Sequence, residues 1–211
     1  LQTLHSRRAY GPSDPMNITL ITMSGQELDL PSLSLTQLRD VALKAHGDRI
    51  NVSIAYLNHD FARAMIPGDP RSTKLYDTLC ANQHTGLPDW LFRQAAWPEL
   101  PDNAKDYFAR YYPSHTPEAK ALATDMLAVR ERIDAFLEEA IERHALDKAD
   151  IVGFTTMFAQ NVASFALARK LKERNPDVTV LMGGANCEWP MGAQLLANVE
   201  AIDYIFAGPA L

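Results

Sequence analysis

Asp150-Ile151-Val152-Gly153-Phe154-Thr155 is a compact apolar run closed by a hydroxyl, and the residues after it repeat its logic. Val162 to Glu173 carries helical spacing and stops at Asn175-Pro176. Val178-Thr179-Val180-Leu181-Met182 is a second β-branched run, and it enters Gly183-Gly184. Met191 to Asn198 is again helical, and Ile202 to Ala207 again extended. Short apolar strands alternating with helices predict a parallel sheet. Each crossover needs a helix to return the chain to the same edge, and strands covered on both faces read apolar throughout.

Upstream, Asn17-Ile18-Thr19-Leu20-Ile21-Thr22-Met23 alternates polar and apolar side chains, as a strand does. The loop from Ser24 to Pro31 leads to a helix over Ser32 to Ala45, with Leu35, Leu38, Val41, Ala42 and Ala45 on one face and Gly47 at its end. Ile50 to Leu57 alternates again. The expected fold class is α/β: a doubly wound, five-stranded, mainly parallel sheet of flavodoxin-like or Rossmann-like type, in the order 2-1-3-4-5.

Residues from about 60 to 148 break the rhythm as a helical insertion. Prolines from Pro67 to Pro117 punctuate short segments that hold Trp90, Trp97 and most of the tyrosines. Proline at this density excludes a long helix or a central strand there, and the aromatics read as the insertion's own small core. Thr116-Pro117-Glu118 then starts a helix, with a hydroxyl cap, proline in the first turn and an acid beside it. From Leu122 to Ile141 the apolar spacing predicts a single helix of about seven turns. His144, near its end, suits the helix dipole and is given no catalytic role.

Composition narrows the function. The 211 residues carry 26 acidic and 20 basic side chains, a net charge of −6, with 47% hydrophobic and 22% charged residues. Such a chain is globular, and its charge disfavours nucleic acid. No apolar run approaches the roughly 20 residues of a membrane span. Residues 1–16 lack the apolar segment of a secretory signal and read as a flexible lead-in or a cloning remnant, with the domain over 17–211. A cytoplasmic location is the expectation. Two cysteines, Cys80 and Cys187, cannot by themselves hold an iron–sulfur cluster.

Ligands of such a sheet bind beyond the carboxyl ends of the strands, where strand order reverses. The loops 24–32, 155–161, 183–192 and the segment from Gly208 are therefore the candidate site. Paired glycines, Gly183 and Gly184, let a ligand approach backbone where a Cβ would collide; a tight strand–helix turn explains a lone Gly-Gly equally well. Thr155, Thr156, Gln160 and Asn161 offer hydroxyls and amides, though each also serves as a helix cap. Neither a dinucleotide fingerprint nor a phosphate loop is present. Cys187 has no spacing that pairs it with His59 or His144 as a base, and reads as a small buried thiol. The fold alone also accommodates a flavin.

Taken in order, these strings resemble a known family. Thr155-x-Met157 followed by Gly183-Gly184 is similar to the Ser-x-Leu and Gly-Gly elements of cobalamin-binding domains. Val152-Gly153-Phe154-Thr155-Thr156-x-Phe158-x-Gln160-Asn161, Gly183-Gly184-Ala185-Asn186-Cys187-Glu188 and Asp203-Tyr204-x-Phe206-x-Gly208 resemble the N-terminal domain of cobalamin-dependent radical S-adenosylmethionine enzymes. The nearest subgroup is the C-methyltransferases that mature ribosomally made peptides. Leu30-Pro31-Ser32-Leu33, Tyr56-Leu57-Asn58-x-x-Phe61-Ala62 and Asp89-Trp90-Leu91-Phe92 extend the resemblance over roughly residues 17 to 208. It implies base-off cobalamin. Pro31, Ser32 and Leu33 would lie beneath the cobalt, and Thr155, Thr156, Phe158, Gln160, Asn161, Gly183, Gly184, Ala185, Asn186 and Gly208 would line the rest of the site.

Two departures qualify what the resemblance implies. No Asp-x-His-x-x-Gly occurs, so no protein imidazole is supplied to cobalt, which is usual for the subgroup. The Cys-x-x-x-Cys-x-x-Cys motif is absent, and Gly208-Pro209-Ala210-Leu211 stands where the family has an acidic end. The [4Fe–4S] cluster and S-adenosylmethionine would then belong to a radical domain in cis or in trans, with a peptide as possible substrate, and this chain is not catalytic alone. The alternatives are a standalone cobalamin-binding or partner-assisting module, and an interaction protein that keeps the fold without the ligand.

Overall fold

The structure, a computed structural model, describes residues 14–113 and 116–208. The expected lead-in falls outside them up to residue 13, and the Pro209-Ala210-Leu211 end falls outside them as well. Five strands, β1 (Met16–Thr22), β2 (Ile50–Tyr56), β3 (Ile151–Thr155), β4 (Thr179–Gly183) and β5 (Tyr204–Phe206), form one sheet in the order β2-β1-β3-β4-β5. Every pairing is parallel. The fold is thus the doubly wound α/β class that the alternation implies.

Between the strands run α1 (Leu33–His46), α8 (Asn161–Arg174) and α9 (Met191–Asn198), and the long crossover from β2 to β3 holds α2 (Leu57–Ala64), α3 (Arg71–Ala81), α4 (Leu87–Ala96), α5 (Ala104–Tyr111), α6 (Pro117–Arg130) and α7 (Ile133–Arg143). Crossovers between parallel strands are right-handed. The steps β2→β3, β3→β4 and β4→β5 run one way across the sheet, so their helices share one face. Only β1→β2 runs the other way and sends α1 to the opposite face.

Burial follows this asymmetry. Ile21, Val152, Phe154, Val180 and Met182 point to one face and join a single buried cluster with Phe61, Leu91, Phe136, Leu137, Ala166 and Leu167. On the other face Ile18, Leu20, Ile151 and Leu181 are half-buried, and Tyr204 and Phe206 are 55% and 56% exposed. The apolar stripe of α1 is correspondingly thin. Ser32 caps it by accepting from the Leu35 N–H (3.4 Å), but Leu35 is its one buried residue, and Val41 stays 48% exposed. Among the described residues α1 packs on β1 and β2 with no second helix beside it on that face, so its flanks stay open.

The insertion departs from expectation in two respects. Its aromatics do not form a separate small core: Phe61 lies 5.1 Å from Phe92 and 4.9 Å from Phe136 within the cluster that covers the sheet. The long helix is also broken at Glu131–Arg132. There the Arg132 N–H bonds to Val129 O (2.9 Å), a tightened turn. The flanking arginines pull to different partners, Arg130 to Asp102 (2.7 Å) with its guanidinium over the Trp90 ring, and Arg132 to Met65 O (3.4 Å). Among the described residues, no helix is long and apolar enough to cross a membrane.

Candidate functional site

The last hydrogen-bonded row of the sheet aligns Tyr56, Thr22, Thr155, Gly183 and Phe206. Since register fixes facing, the four side chains of this row, with the bare Gly183 between them, belong to the half-covered face. Beyond this row the four predicted loops meet edge to edge. Gln160, buried, joins the loops after β1 and β3. Its Nε2 donates to Met23 O (3.2 Å) and its Oε1 accepts from the Met157 N–H (2.8 Å). Gly25 (φ +99°) lies so close to Ala159 O that a Cβ would stand 2.8 Å from it. Tyr76 Oη donates to Gln26 O (2.7 Å) and accepts from the Gly25 N–H (3.1 Å), fixing the β1 loop from the insertion.

The β3 and β4 loops are joined as closely. Asn186 Nδ2 donates to Phe158 O (2.8 Å) and to Asn161 Oδ1 (2.9 Å). The Thr156 N–H and hydroxyl both donate to Gly183 O (2.8 and 3.3 Å). Glu188 Oε1 accepts from the Gly208 N–H (3.0 Å), tying in the segment after β5. On this frame sits Phe158, at φ +53° and with 68% of its surface exposed. A left-handed backbone disfavours a side chain with a Cβ, and an exposed apolar ring gains no burial in return. Such a position persists only where its surroundings over-determine it.

The sequence-predicted residues separate into two groups. Ser32, Thr156 and Gln160 direct their polar groups inward, and Gly184 (φ +104°) is required by packing, because its Cβ would run into the Thr156 backbone. Gly183 is different: among the described residues a Cβ there would meet only Phe206, at an ordinary 3.8 Å, so none of them demands its absence. Pro31, Leu33, Phe158 and Ala185 are exposed, Thr155, Asn161, Asn186 and Gly208 half-exposed. A Cβ on Gly208 (φ +89°) would meet open space.

Leu30, Met157, Trp189 and Phe206 are not among the site residues expected from sequence, yet all four are exposed on these loops or at the end of β5, Trp189 by 80%. Gln26 and Glu188 were also missed as loop ties. Composition hid them, since apolar residues beside a strand ordinarily read as core.

Reactive groups are few here. Cys187 is buried, and desolvation raises its thiol above the usual range despite a weak contact with Thr156 Oγ1 (3.8 Å). His144, just past α7, pairs with Asp60 of α2 (2.7 Å). Among the described residues, no group of three or more His, Cys, Asp or Glu side chains could hold a metal ion. Two buried polar atoms by the β1 loop, Ser24 Oγ and Asn58 Oδ1, have no hydrogen-bond partner among the described residues. The arrangement offers binding rather than acid–base or nucleophilic chemistry. In comparisons with known proteins, the chain matches no family model, no curated protein and no solved structure.

Proposed function

We propose that the chain is a cobalamin-binding domain that works with a radical S-adenosylmethionine domain, in cis or in trans, in methyl transfer to a ribosomally made peptide or related natural product. The observation that carries this reading is Phe158, a left-handed, exposed aromatic held by Asn186 and positioned over the switch point of the sheet. Strain kept at an exposed position in the ligand-binding crevice of this fold argues for a ligand that covers it.

The residues fit a large, flat, mainly apolar cofactor edged with amides. Leu33, Phe158 and Trp189 supply uncovered apolar surface, Gly183 leaves the backbone approachable, and the Asn161 and Asn186 amides face each other at the rim. The loops 24–32, 155–161 and 183–192 contain no histidine, in keeping with a base-off mode. When bound, cobalamin supplies the methyl-carrying chemistry, and the protein supplies placement and surroundings. Phe158 and Leu33 exclude water from its face. Thr155, Asn161 and Asn186 orient its polar edge, and Glu188 holds the Gly208 segment in place. The half-covered sheet face favours a partner domain over a solitary module, since parallel sheets are ordinarily covered on both sides. A cytoplasmic setting belongs to the same reading.

Titration with hydroxocobalamin, followed by gel filtration and absorbance spectroscopy, tests it. The expected result is a co-eluting base-off spectrum, with affinity lowered at least tenfold by Phe158→Ala and by Gly183→Val. Failure to retain cobalamin both alone and with a radical domain supplied in trans would overturn the proposal.

A further inference from the structure

A second concavity lies between α4, α5 and the start of α8, beside the loop that leaves β3. Its volume is about 570 Å³, within the range of small-molecule sites, and Trp97, Leu100, Tyr107, Tyr111 and Val162 supply apolar walls. Leu100 and Tyr111 are 40% and 42% exposed along it.

Most of the polar groups around this groove already have partners. Thr85 Oγ1 donates to Asn82 O (2.7 Å), the Trp90 indole N–H donates to Asn103 Oδ1 (3.1 Å), Arg93 donates to Pro101 O (3.1 Å), and the Arg110 guanidinium lies over the Tyr111 ring. Asp106, exposed, has no partner among the described residues, and the other exception is Asp89, half-buried. One carboxylate oxygen accepts from the Val162 N–H (3.0 Å), capping α8, and among the described residues no Lys, Arg or His stands within salt-bridge distance of the other. Arg93, one helical turn along on the same face of α4, turns away to Pro101 instead.

A half-buried carboxylate beside aromatic walls carries a desolvation cost, which its bond to the α8 N-terminus offsets in part. Burial pushes the Asp89 carboxyl up to about 6. It remains mostly ionised at neutral pH, facing the α8 N-terminus, while the two arginines of the groove, Arg93 and Arg110, are engaged elsewhere. A carboxylate oxygen left open in a concavity with apolar walls suits a ligand of opposite charge.

We propose that this groove is a binding site for a small organic cation, a primary ammonium on an unbranched apolar stem. The ammonium would donate to the free Asp89 oxygen, and the stem would lie against Trp97, Leu100 and Tyr111. The groove shares none of the residues assigned to cobalamin, although Asp89 and Trp90 belong to a string that carries the resemblance and Val162 follows Asn161.

The test follows the indole N–H resonances of Trp90 and Trp97 by NMR during titration with n-pentylammonium chloride, and with 1-pentanol and sodium pentanoate as isosteric controls. The expected result is a saturable shift with pentylammonium, at least tenfold tighter than with either control. Asp89→Asn, which keeps the Val162 bond, should remove that preference, and Leu100→Ser should weaken binding about threefold while keeping it. Equal response to the alcohol and the ammonium, or an ammonium preference that survives in Asp89→Asn with its folded spectrum intact, would overturn the proposal.

Discussion

Ile21, Phe154 and Met182 are sealed beneath the insertion and α8, whereas Leu20 and Leu181, one residue away along the same strands, look onto a face that, among the described residues, α1 partly covers. The two sets are chemically alike. Their different fates come from crossover handedness, which sends the helices of three connections to one side and that of one connection to the other. The covered face therefore carries the stability of the domain, while the half-covered face and the loop platform at its end are available for binding. The contrast teaches that an apolar strand residue in this protein is not by itself a core residue.

The contrast breaks most visibly on the covered side. Phe154→Ala should lower unfolding free energy by about 3–5 kcal/mol in urea titrations, while Leu181→Ala on the other face should cost about 1 kcal/mol. Equal losses would mean that both faces are closed in solution. The neighbouring glycines sharpen it next. Gly184→Ala, at φ +104° and against the Thr156 backbone, should cost about 2–4 kcal/mol or prevent folding, whereas Gly183→Ala should stay within about 1 kcal/mol. Gln160→Ala leaves Met23 O and the Met157 N–H without a partner. It should cost about 1–3 kcal/mol and speed amide hydrogen exchange in both loops.

Asp89 sits on the covered side as a charge beside apolar walls, and its linkage has a definite sign. Its carboxyl is raised in the fold, so the folded state holds the proton more tightly than the unfolded chain. The stabilisation from that proton is present at low pH and is lost as pH rises through the ordinary carboxylate range toward about 6. Asp89→Asn should thus gain on the wild type by about 1–2 kcal/mol between pH 4 and 7, measured by thermal melts at matched ionic strength. The smallest effect is at the platform. Phe158→Gly relieves a left-handed residue and should raise stability by about 0.5–1 kcal/mol while weakening cobalamin retention. A residue that destabilises its own fold yet improves binding is the clearest mark of a site.

Much of this arrangement could be read in advance. The five strands, their order and the loops at their carboxyl ends follow from local apolar runs and from topology rules that need no distant information. The break at Glu131–Arg132 was not legible, because its partners, Asp102 and Met65, are far along the chain. Nor was the difference between Gly183 and Gly184, identical letters side by side, since Thr156 alone distinguishes them. Gln160 read as a ligand contact for the same reason: an amide in a binding loop and an amide latching two loops together look alike until Met23 is brought beside it. Trp189, apolar and next to a strand, gave no hint that it would stand 80% exposed.

The three tryptophans also occupy three distinct settings. Trp189 stands in solvent at the platform, Trp97 lies edge-on to Phe165 beside the groove, and Trp90 is buried between the Tyr107 ring and the Arg130 guanidinium. Intrinsic emission from this chain is accordingly a composite, with a red component that acrylamide quenches readily and a shielded component that it does not. Quenching of the first component reads solvent access at the platform, and Trp97, half-exposed, reads access at the groove.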